Sequence, residues 1–389
     1  MALQLFDGKG TPLERQRFTW RELVQKPISK LDDDAFTRVR VILMNGIESE
    51  AVRFQHLAAR MSAPLRESLA RIRRIEHHQE TQVNWLLGAD HSPLETTIGY
   101  EQVAVEVTAA IARTEPDPYV AQALRFAILE DFDHLYRYSA LMDRLTGMDP
   151  NNILQCYTDI LPGRPTSVEH RSPENDLCEP WDRVKVQPLT KLHTLTLVSG
   201  EQQTHDYYMH YGPSFADPVA RQVYAEIASI EEQHVTHYES LLDPSLSLLE
   251  QWLLHEANEA YNYYGCVQQE SNPRIKAIWE RMLDYEIGHF HHVAELLKHH
   301  EGRDPQEIFP DPLPDPFPYA SNRDFVRKVL VDEVSMRKNG TRFVPLAEES
   351  QASIDYREHM SSQGSPTEIV ACDYRWLPGT ELNRKAAGF

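Results

Sequence analysis

Glu231 and His234, then Glu286 and His289, form two Glu-x-x-His pairs spaced by 286 − 231 = 55 residues. Residues three apart share one face of a helix about a turn from each other, so a carboxylate and an imidazole so placed can reach the same ion. The register extends backward through the chain. Glu76 and Asp131 are also 131 − 76 = 55 apart, and each lies 155 residues before its counterpart (231 − 76 and 286 − 131). Glu101 stands the same 256 − 101 = 155 before Glu256. Solvated acids have no reason to keep such a register. A carboxylate-rich donor set with two imidazoles suits iron or manganese better than zinc or copper, which prefer more nitrogen or sulfur.

The helices expected to carry these groups are amphipathic, and the acids fall on the apolar side. Around 219–242 the stripe runs Val223, Ile227, Ile230, Tyr238 and Leu241, with Glu231 and His234 on it. Around 274–298, Ile275, Ile278, Met282 and Tyr285 precede Glu286 and His289. Near 246–268, Glu256 sits among Leu249, Leu253, Ala260 and Tyr263, where a leucine is expected. Unpaired buried carboxylates are costly or forced to protonate. Several converging in one core need a shared cation or a basic network, and these faces offer few Lys or Arg.

The periodicity predicts an all-α chain of two tandem four-helix bundles. Residues 1–32 read as an irregular lead-in. Four helices follow in 33–147, broken near Pro64, Pro93 and Pro116–Pro118; residues 148–188 form a linker; four more helices occupy 189–301, broken near Pro213, Pro244 and Pro273. Residues 302–389 form an extended tail that opens with a proline-rich run from Pro310 to Pro318 and carries one short helix near 322–337. The tail is expected to wrap the bundles or the partner subunit of a homodimer, without a catalytic role.

One Glu from each of two helices plus Glu-x-x-His from the other two resembles the ferritin-like di-iron or di-manganese carboxylate bundle. In helix order the second repeat resembles it as Glu201, then Glu231 and His234, then Glu256, then Glu286 and His289, with 231 − 201 and 286 − 256 both 30. The stretch with Gly46, Glu48, Ala51 and Phe54 resembles the first ligand helix of rubrerythrins, and Gly200, Glu201, Thr204 and Tyr207 repeat that form. The resemblance covers about 35–146 and 189–300. It implies two iron or manganese ions held by Glu201, Glu231, His234, Glu256, Glu286 and His289.

The first repeat departs from that pattern. Its equivalents are Glu48, Glu76, Gln79, Glu101, Asp131 and His134, with Gln79 standing where His234 stands. An altered dimetal site, a site for one ion and a hydrogen-bonded relic core remain open. His205, four residues after Glu201, is expected to support the site from behind or add a ligand. Glu259, one turn after Glu256, reads as a further ligand or a carboxylate that swings between metals. His237, His291, His292, His299 and His300 are expected at solvated or interfacial positions, and Tyr208, Tyr263 and Tyr264 as core packing.

The net charge of −20 argues against a nucleic-acid or anionic-membrane partner. No run approaches a membrane span, no signal segment is evident, and the four cysteines include no Cys-x-x-Cys pair, as in a reduced cytoplasmic protein. The resemblance implies a di-iron oxidoreductase that uses dioxygen or peroxide on a small organic substrate, drawing electrons from a separate donor. A rubrerythrin-type peroxidase or ferroxidase is the second expectation, and a metal-free scaffold on the same bundle the third.

Overall fold

Capping side chains mark where six of the eight long helices begin: Asp34, Ser92, Asp117, Asp217, Ser247 and Asn272 each accept from a backbone N–H of the first turn. The computed structural model describes residues 3–309 and 312–377, so the first two residues of the proline run and the end of the tail lie outside the described residues. Among the described residues, eight long helices carry the fold. They are α1 (Ala35–Met61), α2 (Arg66–Asn84), α3 (Pro93–Thr114), α4 (Pro118–Thr146), α5 (Pro188–Tyr211), α6 (Pro218–Glu239), α7 (Leu248–Gln269) and α8 (Pro273–Glu301).

The helix ends carry the internal repeat as clearly as the acids do. Ser92 with Glu95 makes a capping box at α3, and Ser247 with Glu250 makes one at α7, offset by 247 − 92 = 155. Asp117 caps α4 and Asn272 caps α8, again 272 − 117 = 155 apart. Both of those helices end on a left-handed glycine, Gly147 at φ 64° and Gly302 at φ 66°, where an L side chain would be strained.

Consecutive helices pair as hairpins: α1 with α2, α3 with α4, α5 with α6, α7 with α8. The hairpins do not assemble by halves of the sequence. Glu48, Glu76, Glu256, Glu259, Glu286 and His289 converge from α1, α2, α7 and α8, whereas Glu101, Asp131, His134, Glu201, Glu231 and His234 converge from α3, α4, α5 and α6. The inner four helices are thus inserted between the two outer hairpins. This corrects the expected division into 33–147 and 189–301. Each hairpin carries a pair of inward acids 28 or 30 residues apart (Glu48 and Glu76, Glu101 and Asp131, Glu201 and Glu231, Glu256 and Glu286), so periodicity alone leaves the choice of partner hairpin open.

The two groups share one hydrophobic core that includes Ile42 and Leu43 from α1, Val103 and Val107 from α3, Leu197 from α5, and Tyr263 and Trp279 from α7 and α8. They meet tightly at Gly46, where a Cβ would lie 2.8 Å from Ser199 O and 2.9 Å from Gln203 Nε2.

The segments outside the helices are packed rather than slack. In the linker, Gly163 N and Thr166 N donate to Asp133 of α4 at 3.0 and 2.7 Å. The tail holds more regular structure than the one expected helix: Arg323–Glu333, Gln351–Met360 and Pro366–Ala371 are helical, and Arg337–Asn339 pairs antiparallel with Arg342–Val344. Val326 and Val329 of the first tail helix pack on Ile128, Leu129 and Phe132. Among the described residues, no helix is long and apolar enough to cross a membrane.

Candidate metal centres

The outer cluster is built around His289. Its Nδ1 lies 3.0 Å from Glu286, 3.6 Å from Glu256 and 3.8 Å from Glu76. Glu48 and Glu259 approach Glu286 from the other side. All six residues are buried. Gln79, on the stripe of α2, donates through Nε2 to Glu48 at 3.3 Å and to Glu286, so it stands in this cluster as a hydrogen-bond donor.

The inner cluster is richer in imidazole. His234 Nδ1 lies 3.1 Å from Asp131, 3.2 Å from Glu231 and 3.7 Å from Glu201. His134 Nδ1 lies 3.1 Å from the other oxygen of Glu231, and Glu101 completes a second group with these two. These residues too are buried.

The six residues expected to share one centre are therefore divided three and three. Glu201, Glu231 and His234 join Asp131, while Glu256, Glu286 and His289 join Glu76. The residues of the first repeat are divided the same way. Glu259 lies in the outer cluster. His205 lies in neither: although one turn from Glu201, its ring sits at the edge of that face beside acids of the helix surface, 3.4 Å from Asp206 and 3.8 Å from Glu232. His237, expected at the surface, is fully buried against Cys178, with Nδ1 3.3 Å from Sγ.

Each ring is fixed by what stands behind it. The Gln16 amide donates to the carbonyls of Thr11 and Tyr285 at 2.8 and 3.0 Å, which turns its Oε1 onto His289 Nε2 at 2.6 Å. His234 Nε2 lies 2.8 Å from Glu130, and His134 Nε2 lies 2.9 Å from Glu169 of the linker. Arg164 and Arg171 reach Glu130 at 2.8 and 2.6 Å. All three rings thus spend Nε2 outward and turn Nδ1 to the carboxylates, the orientation a metal-binding imidazole needs. Sequence reasoning missed Gln16, Glu130, Glu169, Arg164 and Arg171. Three of them lie in the irregular linker and one in the lead-in, where no periodicity marks a side chain. Glu130 could have been flagged, since a second acid beside Asp131 on a buried helix has to find a cation.

The electrostatics show how poorly protein groups alone satisfy these acids. Burial pushes Glu48, Glu101, Glu201, Glu256 and Glu259 well above the usual carboxylate range. Burial, opposed by His289 and reinforced by Glu286, lifts Glu76 to about 8. Glu231 is the exception: burial is outweighed by contacts with both His134 and His234, which hold it at about 2. Burial likewise raises Glu130, but Arg171, His234 and Arg164 overcome it and leave that carboxyl well below its ordinary value.

Hydrogen bonding makes the same point atom by atom. Among the described residues, both oxygens of Glu259 and one oxygen each of Glu48, Glu76, Glu101, Glu201 and Glu256 have no hydrogen-bond partner. Tyr263 donates to the other oxygen of Glu48, and Tyr208 donates to Glu101. These two phenols, expected only to pack, each hold one carboxylate in place. Buried oxygens left bare in this way, with imidazole nitrogens among them, fit a cation-binding centre: the clustered donor atoms lie within 4.8 Å of one another. Both clusters could hold metal ions. No known protein family, curated protein or solved structure matches the chain.

Proposed function

We propose that the chain is a metal-dependent oxidoreductase of ferritin-like type, with one carboxylate-histidine centre in each helix group. In this reading Glu48, Glu76, Glu256, Glu259, Glu286 and His289 hold iron or manganese in the outer centre, and Glu101, Asp131, His134, Glu201, Glu231 and His234 in the inner one. The observation that carries it is the set of buried, unpartnered carboxylate oxygens gathered around His289 and His234. Without cations those oxygens carry a large desolvation cost that the nearby imidazoles, 3.6 Å from Glu256 and 3.7 Å from Glu201, offset only in part.

Bound iron or manganese would supply the redox chemistry by which dioxygen or peroxide oxidises a small organic substrate, with a separate donor giving the electrons that the substrate does not. The chain's residues do the positioning. Glu130, Glu169 and Gln16 hold the three imidazoles with Nδ1 inward, and Tyr208 and Tyr263 fix Glu101 and Glu48. The apolar stripes of all eight helices keep water out. The four cysteines are free, and no Cys-x-x-Cys pair is present to house an electron relay, so electrons come from a separate donor.

Metal analysis of protein purified without chelator tests the reading. His234→Ala and His289→Ala should each remove about half of the bound iron or manganese, and the double variant nearly all of it. Wild-type protein with under about half an equivalent per chain, and no uptake on adding Fe(II) or Mn(II), ends the proposal. Rapid consumption of peroxide with no organic substrate present would replace the oxidase reading by a peroxidase one.

A further inference from the structure

The two clusters differ in how tightly they are closed. A small cavity lies where α1, α3 and α5 meet, lined in part by Leu43, Ala104, Thr108, Gly200, Glu201 and Thr204. It reaches Glu201 of the inner cluster and holds about 10 Å³ of free space, room for a molecule of two or three atoms. Gly200 and Ala104 are partly exposed, and a Cβ on Gly200 would meet nothing within 4 Å, so the outer end of the cavity lies at the surface.

The internal repeat shows what makes this space. Residues of α3 correspond to those of α7 at an offset of 155, and residues of α1 to those of α5 at 201 − 48 = 153. Ala104 therefore stands where the outer group has Glu259 (259 − 104 = 155), and Thr108 where it has Tyr263 (263 − 108 = 155). Gly200 stands where it has Ile47 (200 − 47 = 153). All three outer residues are larger, and all three are buried. Glu259 lies among the outer acids, and Tyr263 spans to Glu48 and donates to it. Thr108 lacks the ring to span to Glu201 in the same way, and among the described residues its Oγ1 has no hydrogen-bond partner. Three truncations on one side of Glu201 leave open what is filled beside Glu48.

We propose that the inner centre alone admits an external ligand, one no larger than dioxygen or peroxide, which enters between α3 and α5 past Gly200 and Ala104 to the Glu201 side of the cluster. The outer centre is closed to it by Ile47, Glu259 and Tyr263. This rests on the reading that both clusters hold metal, and adds which of them meets the oxidant. The passage is too narrow for an organic ring.

The probe is nitric oxide, a diatomic that binds ferrous iron, added to anaerobic Fe(II)-loaded protein and followed by EPR and visible absorption, with iron counted in every sample. His289→Ala leaves the inner centre and His234→Ala the outer. Uptake should be rapid in His289→Ala protein and slower by roughly tenfold or more in His234→Ala protein. Adding Gly200→Ile to His289→Ala should slow uptake by roughly tenfold with iron content unchanged. That substitution installs the counterpart residue where there is space for it, so the fold tolerates it; Thr108→Tyr, which fills the inner end, should act in the same direction. Equal uptake by the two single-centre proteins, or unchanged uptake in the Gly200→Ile protein with its iron in place, overturns the proposal and leaves the metal reading standing. Wild-type protein that retains no iron ends both, and the iron count tells the two failures apart.

Discussion

His289 and His234 occupy the same position in the two clusters, each with Nδ1 facing three carboxylates: Glu286, Glu256 and Glu76 in one, Glu231, Glu201 and Asp131 in the other. What differs is the group behind the ring. His234 rests on the anionic Glu130, whereas His289 rests on the neutral amide of Gln16. An anion behind an imidazole makes it a stronger donor, so the inner centre is expected to favour the more oxidised metal.

That asymmetry makes the two centres separable. Glu169→Gln, which leaves His134 with a weaker partner, should reduce metal affinity of the inner centre by roughly tenfold to a hundredfold and leave the outer one unchanged. Gln16→Leu should do the reverse. Competitive titration against a calibrated chelator reads both, and an equal loss at both centres in either variant would show that the clusters are not independent.

Glu259 contributes two bare oxygens to the outer cluster. Replacing it by Gln removes a group that must take up a proton to remain buried. The metal-free protein should gain on the order of 1–3 kcal/mol while metal binding weakens. Thermal unfolding of stripped and loaded protein checks the opposite signs, and a destabilised stripped Glu259→Gln protein would contradict this account.

Gly46 sets the spacing between α1 and α5. Gly46→Val would drive two methyl groups toward Ser199 O and the Gln203 side chain, already 2.8 and 2.9 Å from a Cβ. Against the ~0.5 kcal/mol gained from helix propensity, overpacking of about 1–3 kcal/mol or more should win. A raised Tm in this variant would mean that the two helices yield easily.

His237 gives stability a pH dependence. Burial, with Lys338 and Arg171 nearby, holds it well below its ordinary value, so it stays neutral in the folded chain. Its contribution is complete above the unfolded value near 6.5 and is lost as pH falls. Between pH 6.5 and 5 the loss should reach about 2 kcal/mol. His237→Gln should flatten that part of the curve in denaturant unfolding of metal-free protein, and an unchanged slope would assign the acid sensitivity elsewhere.

Much of this arrangement is legible in the residue order. The 155-residue offset marks Glu76, Glu101, Asp131 and their counterparts before any coordinate is known, and prolines and cap residues mark the helix ends. Which hairpins share a cluster is not legible, because α1 with α2 and α5 with α6 each present a pair of inward acids at nearly the same spacing, 28 and 30 residues. The supports of the imidazoles are not legible either. Gln16 and Glu169 come from segments without periodicity, and their roles follow only from where the chain is tied down. His237 misled because a histidine three residues past His234 stays on the buried face, where Cys178 and Phe126 enclose it.

The insertion of one helix group within the other gives assembly a direction in time. During synthesis the inner cluster is complete once His234 has emerged, and its linker support, Glu169, precedes that residue. The outer cluster has to wait for His289, with its earliest ligand, Glu48, and its backing group, Gln16, already held at the other end of the chain. Closing that longer loop comes last and costs more chain entropy. Nascent protein therefore passes through a stage in which the inner cluster has all its residues and the outer one is still open, so on the proposed reading the inner centre is the first that metal can fill.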